Sequence, residues 1–321
     1  MKKSRKISFF LVIFFLFLSL KGCTPDKDNK SSTPPSVVVT LKPIHSLVAH
    51  LMEGRGKPVL LFEGEPVAHG ASLRPSQRRI LKQADLLVWI GPSFEVFLSR
   101  TLGALSPKLL LTLLEQPGLT LLPQDPHHGC HACDHSTTDE KGKEFFDGHI
   151  WMDPENGRLI ARAVYEKLIQ LDPEGKVLYT KNLDKLEEEI SKLDQELRKM
   201  LRPFRDVDFF VTHQAYVYFC HRYQLKKPGV ILLNAEGGLS SHALMNLCAS
   251  LKKYPGKCVF SEPPFARTIK KLGGLVEKAG GRIGEIDPLG FRDPAGPHLY
   301  GLILRRCTQN MVACFANKER P

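Results

Sequence analysis

Eight short apolar runs, arranged in two groups of four, constrain this 321-residue chain more than any other feature. The first group is Val37–Leu41, Val59–Phe62, Leu86–Ile90 and Leu109–Leu114. The second is Asp208–Val211, Val230–Leu233, Cys258–Phe260 and Arg282–Ile286. None alternates strictly with polar residues, so each reads as a strand buried on both faces, as in a parallel sheet. Helical patterns lie between most of them, for example Pro75–Gln83 and Asn156–Leu168. Strand and helix alternating in two sets predict an α/β chain of two domains.

Between the groups, Leu183, Leu186, Ile190, Leu193, Leu197 and Met200 recur at three- and four-residue steps. That makes one apolar stripe on a long helix over 174–202, bounded by Pro173 and Pro203. The stripe is shorter than the ~3–4 heptads expected of a dimerising coiled coil, so it reads as a rigid spacer packed across both domains.

The N-terminus reads as an export address. Met1–Lys6 is cationic and Ile7–Leu20 is an apolar run of 14 residues, short of the ~20 needed to span a membrane. Leu20-Lys21-Gly22-Cys23 follows, similar to a bacterial lipobox in which Cys23 is lipidated; Lys21 departs from that pattern. Residues 1–22 therefore read as a signal peptide, and 23–36 (Pro-, Ser- and charge-rich) as a flexible tether. The formal net charge of +11 owes nearly half its surplus to Lys2, Lys3, Arg5, Lys6 and Lys21. The other cations are interspersed with acids and match no nucleic-acid-binding motif, which argues against a nucleic-acid partner.

Residues 123–146 have no periodicity and concentrate His127, His128, His131 and His135 around Cys130 and Cys133. So long a loop is usually functional or disordered; this composition suits loosely held metal, with a local disulfide between Cys130 and Cys133 the other reading. Four further candidates follow predicted strands or precede a helix: His69, His149, His213 and Asp287. Ligands in open α/β sheets bind beyond the carboxyl ends of strands, so residues of both halves can converge on one cleft. Three imidazoles and a carboxylate suit Zn²⁺, and four protein ligands make a closed site that holds metal without activating water on it.

The segments KPIHSLVAHLMEG, HGASLRPSQRRILKQADLLVWIGPSFE, DGHIWMDPEN, HQAYVYFCHRY, CVFSEPPF and IDPLG occur in this order. Together they resemble the periplasmic zinc-uptake proteins, the zinc-binding solute-binding proteins of bacterial ABC transporters, from about Val37 to Cys314. The resemblance implies two (β/α) lobes with mainly parallel four-stranded sheets, joined by one long linker helix with the metal cleft between them. The lobes fall at 37–173 and 203–321. It makes His69, His149 and His213 zinc ligands, places Asp287 at the family's acidic position, and puts Glu262 in support beside the cleft. Ala68 stands where some members carry Glu. The resemblance also implies a Cys258–Cys314 disulfide, and leaves Cys220, Cys248 and Cys307 unassigned.

On this reading the chain is a periplasmic or envelope receptor, expected to be a monomer, that delivers Zn²⁺ to an ABC permease and its ATPase, without enzymatic activity. The His-rich loop becomes a low-affinity collector. A manganese receptor or adhesin on the same fold, or an envelope zinc hydrolase, are the alternatives; His213 argues against manganese, and the absence of HExxH and HxxEH argues against the hydrolase. His45 and His50 read as packing residues on the first helix, His221, His242 and His298 as surface residues, and Trp89 as core. Ser72 and Arg74 read as braces for the loop carrying His69.

Overall fold

Strand β1 (Val37–Val39) pairs in parallel with β2 (Val59–Leu60) on one side and β3 (Leu86–Trp89) on the other, and β4 (Leu110–Thr112) extends the sheet beyond β3. The second sheet repeats this plan with β5 (Phe209–Val211), β6 (Gly229–Val230), β7 (Cys258–Ser261) and β8 (Arg282–Glu285), in the order β6-β5-β7-β8. The computed structural model describes residues 33–62, 73–102, 110–124, 145–231, 257–263 and 273–316, with 245, 249 and 251. The central strands VVV, LLVW and CVFS are wholly buried, as the unbroken apolar runs require of sheets covered on both faces. Some runs outlast their strands: after Thr112 the chain turns into a 3₁₀ helix, Leu113–Glu115. The strand expected over 230–233 begins one residue earlier, and 232–233 lie outside the described residues.

Helix α1 (Lys42–Leu51) starts on Pro43, whose missing N–H costs nothing in a first turn, and buries Ile44, Leu47, Val48 and Leu51. Helix α2 (Pro75–Gln83) starts on Pro75, and α3 spans Val96–Leu102. Helix α4 (Pro154–Leu171) combines Pro154 with a cap from Asp153, whose carboxylate accepts from the Glu155 amide at 2.9 Å. Helix α6 (Val217–Tyr223) ends where Gln224 turns left-handed at φ 57°. The C-terminal helix runs from Leu299 to Phe315.

The long helix α5 (Lys176–Leu201) follows a 3₁₀ turn at Pro173–Gly175. Its stripe is buried at Leu186, Ile190, Leu193, Leu197 and Leu201, each contributing about 1.5–3 kcal/mol on full burial. It packs on α1 and α4 from the first half and on α6 and the C-terminal helix from the second. Asn182 ties it to the end of α1, its Nδ2 donating to the carbonyls of Leu51 and Glu53, both at 2.9 Å.

From Pro34 onward the chain packs as one unit, and the two lobes meet through polar contacts as well as apolar ones. Lys42 Nζ donates to the carbonyls of Gly290, Phe291 and Asp293. Trp151 Nε1 donates to Pro288 O at 2.9 Å, the Tyr300 amide to Ser46 Oγ at 2.9 Å, and the Tyr300 hydroxyl to Trp151 O at 3.0 Å. Gly157 makes room for that tyrosine: a Cβ there would lie 2.1 Å from its hydroxyl. Cys258 and Cys314 are bridged, fastening the end of the C-terminal helix to β7. Closing a loop of 56 residues is worth about 4 kcal/mol in the chain-entropy account. Cys220 and Cys307 are free and buried, and burial pushes both thiols up to about 12, which makes them poor nucleophiles and poor ligands. No helix among the described residues is long and apolar enough to cross a membrane.

Candidate metal centre

His213 stands two residues beyond β5, Glu262 directly after β7, and Asp287 two residues beyond β8. All three thus gather at the carboxyl ends of the second sheet, where backbone amides and carbonyls are no longer consumed by the ladder. From the first lobe comes His149, which opens a 3₁₀ helix over Ile150–Met152. The two imidazoles meet with ring centroids 4.9 Å apart and planes at 73°.

Each ring is held by its own carboxylate. Asp147 accepts from the His149 backbone amide at 2.8 Å and from its Nδ1 at 3.0 Å, with both residues buried. Glu262 accepts from His213 Nδ1 at 3.1 and 3.3 Å and from the Tyr216 hydroxyl at 3.2 Å. An ionised carboxylate can only accept, so Nδ1 carries a proton in both rings, and in the neutral imidazole the lone pair lies on Nε2. That arrangement orients an imidazole for a metal.

Packing fixes the rings further. His149 lies against Phe94 at 5.1 Å and Trp151 at 5.2 Å, while a Cβ on Gly148 would lie 2.1 Å from Phe94 Cδ2. Glycine is therefore needed between Asp147 and His149 for the aromatic wall to close. The hydroxyl of Tyr218, on α6, donates to Asp147 O at 2.7 Å and accepts from the Leu122 amide at 3.2 Å, so the second lobe also steadies the His149 segment.

Electrostatics follow from this placement. Burial opposes protonation of His213, but Glu262 and then Asp147 override it and raise its pKa. Burial also raises Asp287, partly offset by the amides of Leu289 and Phe291, which donate to its two oxygens at 3.1 and 2.6 Å. Glu262 adds a like charge to Asp287.

Of the residues expected from sequence, His149, His213 and Glu262 come together in space, and Asp287 lies within electrostatic reach of Glu262. His69 lies outside the described residues, as do His127, His128, Cys130, His131, Cys133, His135 and Cys23. The ends of the segment carrying His69 are described, and Gln77 joins them. Its Nε2 donates to Leu61 O at 2.9 Å and its Oε1 accepts from the Arg74 amide at 2.8 Å. The base of the His-rich segment is likewise described, as a bridge between Pro123 and Phe146 flanked by Gln124 N to Phe145 O and Asp147 N to Leu122 O, both at 2.9 Å. Sequence reading missed Asp147, Phe94, Tyr216 and Gln77; only the DGH spacing of Asp147 and His149 carried a local signal.

Two parallel-sheet lobes joined by one long helix, with braced imidazoles meeting from both, define the class: a metal-binding solute receptor. The chain belongs to the ZnuA family, the periplasmic zinc-uptake complex component A, whose family pattern matches residues 37–314. A high-affinity zinc uptake system protein ZnuA from Brucella suis is 32% identical over 307 residues, covering 87% of this chain and 91% of that protein. The Yersinia pestis protein of the same name is 28% identical over 291 residues, with the same coverage of each. Among solved structures, a ZnuA crystal structure shares the fold at TM-score 0.71 and 22% identity, covering 88% of this chain and 99% of its own. The periplasmic zinc-binding protein TroA from Treponema pallidum does so at TM-score 0.70 and 21% identity, with the same coverage.

Proposed function

We propose that this chain captures Zn²⁺ between its lobes and hands it to an ABC permease driven by an ATPase. The ligands on this reading are His149 and His213, joined by His69, with Asp287 as the acidic fourth group. The observation that carries it is the pair of imidazoles from opposite lobes, each with Nδ1 committed to a buried carboxylate. Zinc binds imidazole nitrogen at about 2.0–2.1 Å, and two rings already edge to face need little movement to share one ion. An imidazole at 213 in place of a hard carboxylate favours zinc over manganese.

One copy supplies ligands from both lobes, which supports a monomeric receptor. Domain boundaries are read as a leader over 1–22, a tether over 23–36, lobes over 37–173 and 203–321, and a linker over 174–202. Lipidation of Cys23 would hold the receptor at the membrane surface. The His-rich segment leaves and re-enters the fold beside Asp147, two residues from His149, which supports its role as a collector feeding the cleft. The rigid linker and the hydrogen bonds across the lobes favour release by small tilts and loop movement over wide hinge opening.

Competition titration of the metal-free protein with Zn²⁺ and Mn²⁺ tests the reading. One tight zinc equivalent that manganese does not displace is expected. A site that prefers manganese would overturn it.

A further inference from the structure

We propose a second divalent-metal site, formed by His50, Glu189 and His298, that pins the linker helix to both lobes. His50 lies on α1 of the first lobe, Glu189 on the linker helix α5, and His298 caps the start of the C-terminal helix. Among the described residues this is the one group of three or more His, Cys, Asp or Glu whose candidate ligand atoms all lie within 4.8 Å of one another. From sequence, His50 reads as a packing residue and His298 as a surface residue. His50 is indeed buried and His298 exposed, but the two rings face each other edge-on at 6.1 Å.

The second observation is His50 itself. It is 1% exposed, and neither ring nitrogen has a hydrogen-bond partner. A buried polar ring normally finds a partner, so the absence of one asks for an explanation. The nearest carboxylate oxygen, Oε2 of Glu189, stands 3.9 Å from Nδ1, too far for a hydrogen bond but suited to two ligands of one ion. Burial lowers the His50 pKa against the opposing pull of Glu189, which keeps a lone pair available at neutral pH.

The surroundings admit a cation. Two of the nearby cations have anionic partners of their own, Lys192 with Glu188 at 2.6 Å and Arg305 with Glu196 at 2.9 Å, while Lys185, 3.9 Å from Glu189, has to yield that carboxylate to the ion. A groove of about 300 Å³ beside the cluster, lined by Glu189, Leu193, Pro297 and Gly301, leaves space for water to complete the shell. Glu189 and His298 are exposed and free to adjust, so both can close on an ion held by the fixed His50 ring. Two imidazoles and one carboxylate suit Zn²⁺ or another ion of the same borderline softness. The helix N-terminus at His298 disfavours a cation, which sets this site weaker than the cleft. Occupied, it would couple α1, α5 and the C-terminal helix through one ion; on the transport reading above, excess zinc would then stiffen the lobes against the tilts that release cargo.

The test is equilibrium dialysis of the mature full-length chain against Zn²⁺, from limiting to excess, for wild type, an E189Q/H298A variant and H213A. Both altered positions of the double variant are exposed, and circular dichroism confirms its fold. The double variant is expected to hold one equivalent fewer at high zinc and to keep the tight one, with the His-rich segment contributing equally to both proteins. H213A is expected to lose the tight equivalent and keep the weaker one, so failure of the cleft reading and of this one are distinguishable. Zinc should also raise the melting temperature less in the double variant than in wild type. The same stoichiometry and the same zinc-dependent shift in the two proteins would overturn the site.

Discussion

At the cleft, His149 and His213 each give Nδ1 to a buried carboxylate, whereas His50, at the three-helix junction, makes no hydrogen bond with either nitrogen. The cleft rings are held in place by the Asp147 and Glu262 carboxylates, and the His149 ring also by the aromatic wall of Phe94 and Trp151. The junction has one buried ring, His50, and two exposed partners, Glu189 and His298. If both places bind metal as proposed above, the contrast predicts that affinity depends on what holds the ligands as much as on which ligands are present.

The largest effect expected apart from the ligands themselves comes from the Cys258–Cys314 bridge. Replacing both cysteines by serine should lower unfolding free energy by about 4 kcal/mol in denaturant titration, since the bridge closes 56 residues of the unfolded chain. If the bridge acts on the unfolded state, zinc affinity at cleft and junction stays as it was. Loss at the junction alone would show that it also positions the helix carrying His298.

Next comes the brace itself. Asp147→Asn removes the charge that fixes the His149 tautomer, and should weaken the tight zinc equivalent by about 10–100-fold in competition titration while the fold persists. Glu189→Gln removes a ligand instead, yet should change only the weaker equivalent. An unchanged tight site in Asp147→Asn would erase the distinction between aimed and unaimed rings.

A third comparison sets Asp147 beside another buried carboxylate, Glu95, which accepts from the amides of Ile90 at 2.7 Å and Gly91 at 3.2 Å. Burial raises Glu95 to about 7 from 4.5, the amides opposing. Its folded form thus holds a proton more tightly than the unfolded chain, so the contribution of Glu95 to stability is fully present below about 4.5 and is lost as pH rises through about 7. Glu95→Gln should flatten that slope in melts recorded across this range. A slope unchanged by the substitution would place the titrating group elsewhere.

The smallest effect is expected at Gln77. Gln77→Ala removes both hydrogen bonds that join the two ends of the segment carrying His69, and should loosen zinc several-fold in competition titration at a cost of about 1–3 kcal/mol in stability.

Much of this architecture was legible from local pattern. Unbroken apolar runs mark strands buried on two faces, and the stripe from Leu186 to Leu201 marks a helix packed along its length, because both signals repeat within a few residues. His149 and His213 were legible from their place after short apolar or turn segments and from the motifs around them. Asp147 was hidden because a carboxylate two residues from a histidine is common, and only the folded turn sends both its amide and its ring to one oxygen. The junction was hidden for a stronger reason: His50, Glu189 and His298 are far apart in sequence, on three helices whose relative rotation no local period encodes. Strand lengths were overread where apolar residues continue past the ladder, as at Leu113, since burial and hydrogen-bond pairing end at different residues.

The central claim is that imidazoles from the two lobes share one zinc ion. Metal analysis of the wild-type protein and His213→Ala, both purified without chelator and then dialysed against a mild competitor, tests it most directly. The account predicts one zinc retained per wild-type chain and none in the tight site of the variant. Equal retention in both would contradict it.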